Sequence, residues 1–265
     1  MTGRAPGAGL PSILTLNLSR PPVGRAKALL EYLWLRAEEV LVLTETGWGA
    51  GSDLVASVCR GAGYSVQSSL DDGSGRRRRL ASGDRAPYGV LVVSRGPELT
   101  RADGLDVPLM PERVLVTEMP GPAGPVRLIA VYGAASDPVR YASSVQRQRK
   151  RDWLLAFVTW LNLLPEAPTL IVGDLNVVAP GHPDKLPYVL AEERTAYDVL
   201  TSGLGYRDLA AGDLEPTWVD HSGVGCRYDY VLASADLEVT GRRPEIDQAP
   251  RLRGLTDHAA LSWRP

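Results

Sequence analysis

Short apolar, β-branched runs recur along this chain, stretches of helical periodicity separate them, and several of the runs end in a polar residue. Ser12–Leu18 (SILTLNL) alternates at period two and reads as a strand. Pro21 and Pro22 open a helical stretch that sets Leu29, Leu30, Leu33 and Trp34 on one side. Val40–Thr44 is a second buried strand. Asp53–Arg60 reads as a helix stopped by Gly61 and Gly63, and Tyr64–Gln67 restarts an extended segment. From Gln67 to Pro87 the chain is mostly Ser, Gly, Asp and Arg, the composition of a long surface loop. Strands follow at Gly89–Arg95, Arg113–Glu118 and Val126–Tyr132, the last two as a hairpin. Leu154, Phe157, Val158 and Leu161 recur at helical spacing in a helix from about Arg140 to Leu164, which Pro165 ends. Thr169–Val172 is then a strand, Glu192–Thr201 a helix, and Tyr228–Ala233, Leu237–Thr240 and Ala259–Trp263 the closing strands. Neither a repeat nor a linker divides the series, so one α/β domain with mixed strands is expected over residues 1–265, with its core at about 12–263.

Charge narrows the function classes. Lys and Arg number 29 against 31 Asp and Glu, a formal net charge of -2. That balance excludes a polybasic coat protein, whose grip on nucleic acid comes from a uniform excess of positive charge. It leaves room for a nuclease, which needs only a local basic surface. Cys59 and Cys226 are too few for a disulfide scaffold or a thiolate zinc site and read as reduced, buried thiols. The N-terminal MTGRAPGAGLPS holds no apolar run of signal-peptide type, and the most apolar stretch, Trp153–Leu164, is too short to span a bilayer. A cytoplasmic monomer with no membrane association is the expectation.

Polar residues at strand ends carry the chemistry. Asn17 ends SILTLN, Glu45 ends VLVLTE, Asp174 and Asn176 follow LIVG, Asp229 sits in RYDYVL, and Asp257 and His258 precede AALSW. Any one Asp or Asn has a bland explanation, since both are favoured in turns. Glu45 does not, because Glu is a poor turn residue and an unpaired carboxylate beside a buried strand is costly. Together these carboxylates, two Asn and one His, with no thiolate, make the oxygen-rich set preferred by Mg²⁺ or Mn²⁺. One His beside an Asp adds a titratable group near neutral pH.

LTLNL, LTETGW, YGVLVVSR, VYGAAS, LIVGDLNVV, PTWVDHSGVGCRYDYVLAS and LTDHAAL, in that order, resemble the endonuclease/exonuclease/phosphatase superfamily, which includes exonuclease III-like and deoxyribonuclease I-like enzymes. The resemblance implies an α/β fold, a two-layer β-sandwich of mixed sheets flanked by helices. It implies Mg²⁺- or Mn²⁺-dependent hydrolysis of phosphodiester bonds by in-line attack of water, with DNA as substrate and endo- or exonuclease action. A phosphatase or phosphodiesterase for a small phosphorylated molecule is the alternative. By the same resemblance, Glu45 is the principal metal ligand, with Asn17 and Asp257 near the same ion. Asp174 positions or deprotonates the water, with Asn176 beside it. His258 contacts the scissile phosphate, Asp229 fixes its tautomer, and Tyr132 donates to a phosphate oxygen. The choice of general base between Asp174 and His258 stays open.

The chain departs from the abasic-site nucleases where substrate is read. Asn17 is followed by Leu18-Ser19-Arg20, Glu45 by Thr46-Gly47-Trp48, and Tyr132 by Gly133-Ala134, where those enzymes carry Gly, Thr-Lys and Tyr-x-Pro respectively. Thr217-Trp218 resembles the aromatic segment they place near the target sugar, which makes Trp218 a substrate-binding candidate. Two basic clusters also bear on substrate. Arg76, Arg77, Arg78 and Arg79 lie in the long loop, and Arg147, Arg149, Lys150 and Arg151 on the long helix. The loop arginines are candidates for flanking phosphates. His182 and His221 read as exposed loop residues, and Trp48 either stacks on a base or packs under the loop.

Overall fold

The computed structural model describes residues 9–72, 76–78, 87–102, 104–136, 142–182 and 188–265. Strand β1 (Ile13–Asn17) runs through helix α1 (Val23–Trp34) to β2 (Val40–Thr46), and α2 (Ala50–Gly61) leads to β3 (Ser65–Ser68). Next come β4 (Gly89–Ser94), β5 (Thr100–Arg101), β6 (Val114–Gly121) and β7 (Gly124–Tyr132). The long helix α3 (Ser143–Leu163) returns the chain to β8 (Thr169–Asp174). After α4 (Ala191–Asp198) the chain forms β9 (Arg207–Asp208), β10 (Trp218–Val219), β11 (Gly225–Cys226) and β12 (Asp229–Ala233). It closes with β13 (Glu245–Asp247), α5 (Ala249–Leu252) and β14 (Ala260–Trp263).

Two six-stranded mixed sheets result, ordered β13-β14-β1-β2-β4-β3 and β5-β6-β7-β8-β12-β9. Each has one parallel pair near its middle, β1 with β2 and β7 with β8. A parallel pair needs a crossover, and α1 and α3 supply the two. The period-two alternation then divides each strand between two apolar faces. Ile13, Val40 and Val42 meet Leu128, Ala130 and Val172 between the sheets. Leu14, Leu16, Leu41 and Leu43 turn outward onto Leu29, Leu33 and Val55. On the other side Ile129, Val131 and Ile171 pack on Trp153, Phe157 and Trp160 of α3, where the Trp153 and Phe157 rings stack 4.9 Å apart. Burying a leucine- or phenylalanine-sized side chain stabilises by about 1.5–3 kcal/mol, so these three apolar layers dominate the fold. The architecture is the expected sandwich of mixed sheets flanked by helices.

Some expected elements differ. Leu237–Thr240 forms no strand. Leu237 is buried in the inter-sheet core, but the edge beside β14 is taken by β13, whose Glu245–Asp247 carries little strand signal. The helix expected at Glu192–Thr201 forms as α4 (Ala191–Asp198), but its end is a π turn at Val199–Gly203. Within the long loop, Asp71 and Arg77 form an isolated antiparallel bridge. Cys59 and Cys226 are free and buried. Among the described residues, no helix is long and apolar enough to cross a membrane.

The topology sets the stage for chemistry at one rim. β1, β2, β7 and β8 deliver their C-terminal ends there, and β12, antiparallel to β8, delivers its start. Tyr132, Asp174 and Asp229 therefore lie side by side across three neighbouring strands.

Candidate active site

Asp174 is the centre of this rim. Its Oδ1 accepts two hydrogen bonds from Asn176, one from the backbone N–H and one from Nδ2, both at 2.9 Å. Asn176 reaches back this way because it adopts a left-handed φ of 52°, a conformation Asn tolerates better than most residues. The Oδ2 of Asp174 accepts from Asn17 Nδ2 of the other sheet at 2.9 Å, so one buried carboxylate ties the two sheets together. Asn17 in turn accepts from the Ser19 N–H at 2.8 Å, and its carbonyl accepts from the Thr256 hydroxyl.

His258 completes the array. Its Nδ1 lies 3.0 Å from Asp229 Oδ2, and its Nε2 lies 3.9 Å from Asp174 Oδ2. A carboxylate can only accept, so the contact with Asp229 places a proton on Nδ1. Asp229 is itself held by Thr217, whose Oγ1 accepts the N–H groups of both Tyr228 and Asp229. The carbonyl of Thr217 accepts from the Ala259 N–H, which joins the Trp218 segment to the start of β14. Trp218 donates from Nε1 to Asp257 Oδ2 at 2.9 Å.

Two glycines permit the packing. A Cβ on Gly173 would lie 2.1 Å from the Val131 carbonyl oxygen, and one on Gly133 would lie 2.0 Å from that of Leu175. Glu45 itself holds a left-handed φ of 51° at the end of β2, and its carbonyl accepts from the Arg20 N–H. Such a conformation is strained for Glu, and strain of this kind concentrates at functional sites.

Burial, and then the neighbouring Asp229, push the Asp174 carboxyl up to about 7. For His258, burial works downward, but the charge of Asp229 and its hydrogen bond outweigh it and raise the imidazole to about 9. Desolvation raises Glu45, with Asp257 adding to the rise and His258 opposing it. At Asp257 desolvation works upward, yet His258 and the Trp218 N–H prevail and the carboxyl lies below its ordinary range. Burial keeps Tyr132 a neutral phenol, a donor at any accessible pH.

These groups line a cleft of about 240 Å³. Its donor set suits one kind of cation. Glu45, Asp257 and the Asn17 amide are all oxygen donors, and Glu45 forms no ion pair among the described residues. No three His, Cys, Asp or Glu groups among the described residues converge into a closed cage. Mg²⁺ requires no cage, since it binds through one or two carboxylates and keeps several waters. The residues present therefore fit a hard, partly hydrated divalent ion.

The structure distributes the other candidates unevenly. Trp218 lines the cleft; the described arginines of the loop run do not. Arg77 pairs with Asp53 and lies over the Trp48 ring at 5.7 Å, while Arg78 makes a two-pronged contact with Asp106. Arg76 is exposed, and Arg79 lies outside the described residues. The run on α3 does not form one solvated face either: Lys150 is buried against Glu193 at 2.7 Å, Arg151 pairs with Glu192, and Arg149 lines the cleft. His182 is buried, contrary to expectation, whereas His221 is exposed as expected. Sequence reasoning missed Thr217 and Arg113. Thr217 had a signal in its place before Trp218; Arg113 had none, because it reads as the start of a strand.

The model for the endonuclease/exonuclease/phosphatase family matches residues 14–258. No curated protein sequence matches the chain. Among solved structures, an AP endonuclease from Archaeoglobus fulgidus superposes with a TM-score of 0.72 at 20% identity, covering 96% of this chain and 98% of that one. The 3′ phosphatase NExo from Neisseria, bound to a product DNA hairpin, gives 0.71 at 21% identity over 96% and 98%. The catalytic domain of Xenopus laevis APE2 gives 0.64 at 17% identity over 95% and 90%. These likenesses establish the fold, and the family match establishes descent. The chain belongs to the endonuclease/exonuclease/phosphatase family, a family of phosphoester hydrolases.

Proposed function

We propose that this protein hydrolyses phosphodiester bonds in DNA with Mg²⁺ or Mn²⁺ as cofactor. The observation that carries the proposal is the convergence of Asp174, Asn176, Asn17 and the His258–Asp229 pair beside Glu45 at one rim. Glu45, with Asp257 and Asn17 beside it, would hold the ion. Bound there, a divalent cation stabilises negative charge on the non-bridging and leaving oxygens.

The chain's own groups divide the remaining work. Asp174 has three N–H donors to orient it and faces the cleft, so it takes the proton of the attacking water. The protonation of His258 agrees with that assignment. Its Nδ1–H is committed to Asp229, whose charge favours the imidazolium, and in that form Nε2 also carries a proton to donate to a phosphoryl oxygen. Tyr132 adds a donor at the cleft, while Asn176 spends its Nδ2 hydrogens on Asp174 and the Gly133 carbonyl and so fixes the carboxylate. Water attacks in line at phosphorus, and no covalent enzyme intermediate forms. Similarity to an AP endonuclease and to a 3′ phosphatase bound to a DNA hairpin supports DNA as the substrate.

One observation favours a second reading, hydrolysis of a small phosphorylated molecule. Arg77, Arg78, Lys150 and Arg151 all meet carboxylates of this chain, which reduces the basic surface open to a long polyanion. The test offers supercoiled, linear, single-stranded and abasic DNA beside a panel of small phosphomonoesters and diesters, with Mg²⁺ or Mn²⁺. Metal-dependent cleavage of DNA that is lost in Asp174→Asn and His258→Ala is the expected result. Turnover of small esters alone would select the second reading. Cleavage that survives in both variants, or without metal, would reject this site.

A further inference from the structure

We infer that Glu112 is a specificity residue of this cleft, accepting a hydrogen bond from an amine or hydroxyl of the substrate beside the scissile phosphate. The inference rests on the hydrolase reading above and adds to it the kind of substrate group that is read.

Glu112 lies in the 3₁₀ turn Pro111–Arg113 that leads into β6, and it is only 7% exposed. Two hydrogen bonds pin its backbone. The Arg113 N–H donates to the Met110 carbonyl across the turn, and the Ser69 hydroxyl donates to the carbonyl of Glu112 itself. Ser69 is held in turn by the Val90 N–H of β4, which its oxygen accepts. The carboxylate has no such tie. Among the described residues it forms no hydrogen bond and no ion pair, yet its oxygens are not sealed from solvent and the residue lines the cleft. The adjacent cation is committed elsewhere. The Arg113 guanidinium carbon lies 4.7 Å from the centre of the Tyr132 ring, and its Nη1 donates to the carbonyls of Gly133 and Tyr132.

Sheet order fixes where this carboxylate stands. β6, β7, β8 and β12 are successive neighbours, and Tyr132, Asp174 and Asp229 occupy the last three. Glu112 therefore lies beyond Tyr132, on the flank away from Asp229 and His258. Met110, Gln146 and Arg149 line the cleft as well, and Arg149 Nη2 lies 3.9 Å from the Met110 sulfur beside the turn.

A buried carboxylate left without a partner is costly, and a donor from outside the chain removes the cost. A second phosphate is excluded as that partner, because its charge has the same sign. The group that meets Glu112 is therefore an N–H or O–H of the base, sugar or alcohol carried by the scissile phosphate. Carboxylates read the exocyclic amine of cytosine in this way.

The test compares binding with Mg²⁺ present, in the Asp174→Asn background so that no ester is consumed. Its ligands are monophosphates paired to differ by one donor. For the amine, cytidine is set against pyrimidin-2-one riboside and adenosine against purine riboside; for the hydroxyl, ribonucleotides against 2′-deoxyribonucleotides and 2-hydroxyethyl phosphate against ethyl phosphate. With Glu112 intact, the donor-bearing member of the amine pairs or of the hydroxyl pairs should bind about 10- to 100-fold more tightly. The pairs that respond identify the group. Glu112→Leu should bring that ratio close to one, and Glu112→Gln, which keeps an acceptor without the charge, should give an intermediate ratio. The carboxyl ¹³C resonance of Glu112 should move with the favoured ligand and not with its partner. If Glu112→Leu does not fold, the Gln variant and that resonance decide the matter. Equal binding within every pair, or a preference undiminished in the variants, would overturn the inference. The two readings fail separately. A preference that depends on Glu112, without hydrolysis of any ester by the wild-type protein, would refute the hydrolase and keep the specificity residue. Hydrolysis with no such preference would do the reverse.

Discussion

Asp174 receives three hydrogen bonds and stands between the two sheets, so its substitution separates chemistry from architecture. Asp174→Asn keeps the shape and removes the proton acceptor. Activity should fall by about 10²–10⁴-fold while the circular dichroism spectrum stays unchanged. Thr217 acts one step further back. Its hydroxyl oxygen is the acceptor for two buried N–H groups that start β12, and Thr217→Val leaves both unpaired. Urea unfolding should show a loss of about 1–3 kcal/mol, which Thr217→Ser should largely restore. Gly133 is constrained differently. A methyl group there meets the Leu175 carbonyl, so Gly133→Ala should displace the end of β7 and lower activity more than stability.

At the level of elements, two charged joints hold the helices and edges in place. Lys150 on α3 and Glu193 on α4 form an ion pair with side-chain exposures of 1% and 0%, and Ser136 sits beside it. Removing one partner strands the other charge in the interior. Lys150→Met should therefore destabilise by about 3–5 kcal/mol in chemical denaturation, and the double variant Lys150→Met/Glu193→Met should recover much of the loss. The second joint is Glu38, which accepts from Arg36, Ser262 and Arg264 and so ties the approach to β2 to strand β14. Burial works against its charge, but the Arg36 and Ser262 bonds prevail and hold the carboxyl at about 2, below its ordinary 4.5. Because the folded value is the lower one, the stabilisation is complete above about 4.5 and is lost as pH falls toward 2. Glu38→Gln should flatten the decline in melting temperature across that window.

For the molecule as a whole, the net charge of -2 hides a sorted distribution. Glu45, Asp174, Asp229 and Asp257 collect at the rim, and many of the arginines are paired elsewhere in the chain. If DNA is the substrate, replacing Arg76–Arg79 with Ser should weaken binding and flatten its salt dependence by about 0.9 in log–log slope for each phosphate that is no longer neutralised. An unchanged slope would exclude those arginines from the interface and favour a small substrate.

The local patterns legible in the sequence were those that depend only on near neighbours. Period-two runs located the principal strands, helical spacing located α3, and the polar residues that end the strands named the groups that converge. Backbone geometry forces both periodicities, whatever the chain does later. Which strands pair is a different matter. The Leu237 segment has strand composition but pairs with neither sheet, and the polar β13 takes the place beside β14. The fate of charged side chains was equally hidden. Lys150 and Arg151 are adjacent in sequence, yet one is buried against Glu193 and the other is exposed beside Glu192, because helical rotation turns them to different surroundings. Arg113 reads as any arginine opening a strand until β7 brings Tyr132 and Gly133 against it. Sequence alone determined the principal strands and helices and the strand-end groups of the rim. Only the tertiary structure decided which charges are spent on the fold and which face the cleft, since burial and pairing depend on partners distant along the chain.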